Sequence, residues 1–198
     1  MIERALISVY DKSGLEELVE ALAGYGVEII SSGGTARRIR ETGYEWLVEV
    51  SDYTGHPESP GGLVKTLHPK VHGGLLLDRG RSDHRRWMEE NRVEPIDMVV
   101  LNLYPFEKVV AGGADLAEAA ENIDIGGPSM TRSAAKAALL YDSVCVVTDP
   151  AQYPEVVETL KGNRGELTTD LRRRYAQAAF KRTVGYDSAI VSYLEENL

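Results

Sequence analysis

The feature that most constrains this chain is the order of its apolar segments. Short, nearly continuous apolar runs alternate with stretches of helical period from the first residues onward. Ala5 to Val9 (ALISV) reads as a buried strand. Leu15, Leu18, Val19 and Leu22 then fall at i, i+3, i+4 and i+7, one face of a helix. The strand pattern returns at Val27 to Ile30, Trp46 to Val50, Asp97 to Leu103 and Ser143 to Val147. Further helices are expected through Ile39 and Arg40, and over 82–92, 115–122 and 128–139. Ser51 to Gly62 is rich in Gly, Pro and Ser and reads as a long loop, a kind that is more often functional than idle. The end of the chain, about 166–198, is expected to be helical, with Leu167, Leu171, Tyr175 and Ala178 on one face. Strands that do not alternate with polar residues are covered on both sides. The expected fold is therefore α/β, three layers, with a mainly parallel sheet.

Composition narrows the function. The 198 residues suit one domain, 1–198, ending in the helical segment. There are 22 Lys and Arg against 31 Asp and Glu, a net charge of −9, which argues against duplex nucleic acid or an anionic membrane as partner. A local patch can still hold a small anion. The single cysteine, Cys145, excludes an internal disulfide and any multi-cysteine zinc site, and its apolar surroundings (SVCVV) suggest a buried, inert thiol. The N-terminal stretch carries Glu3 and Arg4 beside a short apolar run, so it lacks a signal-peptide core. No apolar stretch approaches the ~20 residues of a membrane-spanning helix. A cytoplasmic enzyme or binding domain is the expectation.

Parallel sheets bind ligands beyond the carboxyl ends of their strands. Four segments fall there. Ser8-Val-Tyr-Asp11-Lys12 follows the first strand, and Ser31-Ser32-Gly33-Gly34-Thr35 follows the second and opens a helix. Free N–H groups at that helix start, glycines that let an anion approach, and Lys12 would together make a phosphate cradle. The alternative is a plain turn with Thr35 as a helix cap. Gly61 to Gly74 carries Lys65, Lys70, His68 and His72 in a chain that is acidic elsewhere, and suggests an anion-binding or catalytic loop. Its alternative is a solvated basic surface. The two histidines have no carboxylate or thiol close in sequence to complete a metal site, so no metal is expected. Asp124 to Lys136 places glycines and Pro128 at another helix start, with a capped helix and solvated Lys136 as the plain reading. Asn102 and Tyr104 end the strongest strand. The arginines at 81, 85, 86 and 92 read as a solvated face with local ion pairs.

The motifs SVYDKSGL, SSGGTA, VKTLHPKVHGG, NLYPF and IDIGG…RSAAK occur in this order over essentially the whole chain. In this the chain resembles the inosine-monophosphate (IMP) cyclohydrolase domain, the N-terminal half of a bifunctional purine-biosynthesis family that also carries a formyltransferase. The resemblance implies a methylglyoxal synthase-like fold, a homodimer, no cofactor, and a nucleotide substrate. The reaction implied is dehydrative closure of 5-formamidoimidazole-4-carboxamide ribotide (FAICAR) to IMP.

Carried over by motif, Lys136, Lys65, Asp124 and Tyr104 would be catalytic. Lys136 would move protons, Asp124 would orient it, Lys65 would stabilise the oxyanion and Tyr104 would position the reacting groups. Asp11, Lys12, Ser32, Gly33, Gly34, Thr35, Val64, Thr66, Asn102, Ile125 and Gly126 would bind substrate. A proton-shuttling lysine must sit where its charge is disfavoured, and burial beside Lys65 would supply that. Two positions depart from the family pattern: Leu63 stands where an arginine is usual, and His56 where an aromatic is usual. If 198 residues are the full length, a separate formylating enzyme is implied. Two other functions of the same fold are a nucleotide-sensing module, which could dispense with Lys65, Tyr104, Asp124 and Lys136, and methylglyoxal synthase, from which NLYPF and IDIGG point away.

Overall fold

A computed structural model describes residues 1–198. Five strands, β1 (Arg4–Val9), β2 (Glu28–Ser31), β3 (Leu47–Glu49), β4 (Met98–Asn102) and β5 (Cys145–Val147), form one parallel sheet in the order β3-β2-β1-β4-β5. The chain starts in the middle at β1, builds outward to β3, then returns across β1 to β4. The order therefore reverses between β1 and β4, and the strand ends open a crevice there.

Ten helices cover the sheet: α1 (Leu15–Ala23), α2 (Gly33–Glu41), α3 (Val50–Thr54), α4 (Pro69–Leu76), α5 (Ser82–Asn91), α6 (Phe106–Ala111), α7 (Leu116–Glu121), α8 (Gly126–Tyr141), α9 (Tyr153–Gly162) and α10 (Thr169–Asn197). Two apolar cores result, one on each face. The α1 stripe, Leu15, Leu18, Val19 and Leu22, fills the first with Ile7, Ile29 and Leu160. The second joins Leu6, Val99 and Leu101 to Leu75, Phe106 and the alanines of α8. Small residues on α8, Ala134, Ala135, Ala137 and Ala138, are all buried and let it pack close to α10.

α10 takes part in both cores. Leu171 and Tyr175 lie in the first, and Ala176, Ala179 and Tyr186 in the second. It packs on β5 and so shields one edge of the sheet from further pairing. Tyr175, Phe180 and Tyr193, whose partners the sequence leaves open, all pack on their own domain. Cys145 is fully buried, and desolvation pushes its thiol up to about 12.

The structure corrects several sequence expectations. The supposed loop 51–62 begins as α3 and contains a tight turn at Pro60–Gly62. Within SSGGT, Ser31 ends β2 and α2 already starts at Gly33. The basic segment 61–74 becomes α4 from Pro69 onward, with the His68 ring accepting from the Lys70 N–H at 3.1 Å. α6 and α9 are additional to the helices expected from the apolar pattern. The basic stretch is solvated and carries a local ion pair as expected: Arg81, just before α5, pairs with Asp83.

Candidate functional site

A cleft of about 570 Å³ lies at the β1/β4 crevice. Its floor is the turn after β1. Asn102, the last residue of β4, accepts from the N–H groups of Tyr10 (2.7 Å) and Asp11 (2.8 Å) and donates to the Asp11 carbonyl (2.9 Å). The Asp11 carboxylate faces away and accepts from Ser13, which holds it below the usual carboxylate range. Asp11 thus shapes the turn without lining the cleft.

One end of the cleft is strongly cationic. Ser32 has extended backbone and Gly33 a φ of 57°, a bend that favours glycine. No side chain caps the N–H groups that α2 exposes there. Two ammonium groups flank the glycines. A methyl group on Gly33 would lie 3.6 Å from Lys65 Nζ, and one on Gly34 would lie 3.9 Å from Lys12 Nζ. Lys12 is steadied by the Val9 and Tyr10 carbonyls, and Lys65 by Glu58 at 3.1 Å. Helix start, cations and exposed amides give this end of the cleft the chemistry that suits a small anion. Thr35 serves the fold here, since its hydroxyl donates to the Val9 carbonyl and accepts the Val9 N–H, fastening α2 to β1.

The other end is the start of α8. The Asp124 carboxylate accepts from the Gly127 N–H at 2.9 Å, and the glycines allow close packing. A methyl group on Gly127 would meet Asp124 Oδ2 at 2.4 Å and Leu103 at 2.7 Å; on Gly126 it would meet Thr66 Oγ1 at 2.6 Å. Burial raises the Asp124 carboxyl above the ordinary carboxylate range, and the Gly127 and Tyr104 backbone only partly offsets this. Tyr104, half exposed, stands 5.5 Å from the Tyr10 ring over the mouth. Leu63 lines that mouth and is 75% exposed.

Most residues implied by the resemblance meet here: Lys12, Ser32, Gly33, Gly34, Thr35, Lys65, Thr66, Asn102, Tyr104, Asp124, Ile125 and Gly126 line one cleft. Val64 is half exposed outside it. Lys136 is exposed on α8 and also outside it. Ten residues beyond Gly126, it lies about 15 Å down the helix axis, more than a lysine side chain spans. The expected burial of Lys136 beside Lys65 is therefore not found within one chain. Tyr10, Glu121 and Asn122 line the cleft too. Glu121 and Asn122 lie outside the motifs, and Tyr10 lies inside SVYDKSGL but carries no role that the motif implies.

Such a sheet, with a cleft lined by Lys12 and Lys65 at its switch point, defines the class. The chain belongs to the MGS-like domain family, whose model matches residues 14–129. Residues 134–198 match the model of the AICARFT/IMPCHase bienzyme. The chain is similar to the bifunctional purine biosynthesis protein PurH of Magnetococcus marinus, with 54% identity over 98% of this chain and 36% of that protein. The PurH of Persephonella marina is 50% identical over 99% of this chain and 37% of its own length. The chain thus spans about a third of the length of these relatives. The crystal structure of ForH is similar over 96% of this chain and 98% of its own, with a TM-score of 0.81 and 30% identity. No helix is long and apolar enough to cross a membrane.

Proposed function

We propose that this chain is an IMP cyclohydrolase of purine biosynthesis, closing FAICAR to IMP with loss of water. The observation that carries this reading is the cleft itself, cationic at the start of α2 and holding a half-buried carboxylate at the start of α8. The ribotide phosphate binds between Lys12 and the amides at the start of α2, which leaves Lys65 for the reacting oxygen. The base then reaches toward Tyr104, Thr66 and Asp124.

In the reaction the carboxamide nitrogen attacks the formyl carbon and loses one proton. The formyl oxygen gains negative charge, takes up that proton, and leaves as water with the hydrogen of the former formamide nitrogen. Both reacting groups belong to one molecule, so alignment supplies much of the acceleration. Lys65 and the Gly126 N–H at the start of α8 stabilise the oxyanion. Burial raises the Asp124 carboxyl, so it takes up a proton more readily than a solvated carboxylate does. Lys136 enters from a second copy in a homodimer, the arrangement in which its exposed position and its assigned role agree. The ring closure requires no metal or cofactor.

The test is direct. The purified chain is incubated with FAICAR, and IMP is followed spectroscopically beside Lys65→Ala and Asp124→Asn. Conversion by the native chain, lost in both variants, supports the assignment. Binding of IMP without conversion by the native chain overturns it in favour of a nucleotide-sensing domain.

A further inference from the structure

We infer that Tyr186, in the second half of α10, is a positioning residue that sets Asp124 in the cleft. This rests on the cyclohydrolase reading for its catalytic consequence, though not for its geometry. Tyr186 is wholly buried, and its hydroxyl reaches the turn between α7 and α8, more than sixty residues earlier in the chain. It accepts from the Asp124 N–H at 2.7 Å and donates to the Asn122 carbonyl at 3.3 Å. Both backbone groups flank Ile123, and no other protein group bonds the Asp124 N–H. Asp124 is thus held at two points, its backbone by Tyr186 and its carboxylate by Gly127. The Tyr186 ring also stands edge-on to Phe106, 6.3 Å between centroids, and the Phe106 N–H donates to the Tyr104 carbonyl. One buried side chain therefore braces the backbone on both sides of the proposed reaction centre.

Tyr193 supplies an internal control. It lies two turns further along α10, edge-on to the same Phe106, and donates to the Ala114 carbonyl at 3.0 Å, away from the cleft. Both tyrosines lose one hydroxyl and keep their ring on substitution by phenylalanine. A purely structural role predicts similar behaviour of the two variants.

The experiment compares Tyr186→Phe with Tyr193→Phe in the full chain. Four measurements are made: the steady-state constants with FAICAR, IMP affinity by calorimetry, exchange of the Asp124 amide followed by NMR, and the melting temperature. For Tyr186→Phe, kcat falls on the order of tenfold to a hundredfold while IMP affinity stays within about twofold, because alignment is lost and the phosphate cradle is untouched. The Asp124 amide exchanges faster by about tenfold or more, since its only protein acceptor is gone. Tyr193→Phe leaves kcat and this amide unchanged. Equal loss of melting temperature in both variants, with kcat and Asp124 exchange unaltered, overturns the inference. Should the native chain fail to convert FAICAR, the cyclohydrolase reading falls, while the exchange comparison still decides what Tyr186 holds.

Discussion

Asp124 shows how one residue couples stability to chemistry. Its carboxyl keeps a proton to higher pH in the folded chain than in the unfolded one. Between those two values the native state binds more protons, so this group's contribution to stability falls as pH rises. Asp124→Asn keeps an oxygen for the Gly127 N–H and removes the half-buried charge. We expect it to abolish ring closure yet raise the melting temperature by roughly 2–4 °C at neutral pH. The gain should vanish as pH drops below the ordinary aspartate range; thermal melts across pH check both the size and the sign. Leu63 offers a second residue-scale prediction. An arginine at this exposed position adds a cation at the mouth of a cleft built for an anion. Leu63→Arg should lower KM for the ribotide severalfold at low salt, with the advantage shrinking as salt is added. Steady-state kinetics at two ionic strengths would show it.

Among the elements, the start of α8 is the most tightly constrained. Gly127 touches the Asp124 carboxylate and Leu103 so closely that any side chain must displace one of them. Gly127→Ala should cost about 1–3 kcal/mol of stability by overpacking and should cut kcat more than KM. Denaturant melts and kinetics test the two parts separately. The same elements show what can be read from the chain. α1 is legible because four apolar residues share one face, and the strands because they are continuous apolar runs. α4 is hidden because Gly73 and Gly74 resemble a loop. Gly74 is there to let the Glu94 carbonyl approach, where an added methyl group would stand 2.6 Å away. The residues around the cleft are legible by motif, but their division of labour is not. Thr35 and Asn102 spend their side chains on fastening α2 and the β1 turn, and only coordinates reveal bonds between segments so far apart in the chain.

For the whole molecule, the question is how Lys136 reaches the chemistry. If a second copy brings it, Asp124→Asn and Lys136→Ala should each be inactive alone, and mixing them should restore activity. After random exchange of subunits about a quarter of the sites carry neither change, and that fraction of native activity is the expected recovery. Absence of recovery in exchanged mixtures would take Lys136 out of the site. The molecule also has an order of assembly. Lys12, Lys65, Tyr104 and Asp124 all precede the helix that braces the last of them. In synthesis from the N-terminus, β1 to β5 emerge first, with one sheet edge bare and the second core unfilled. A nascent chain that has not yet released α10 therefore holds every residue lining the cleft but not the brace on Asp124, which is set in place only when α10 docks.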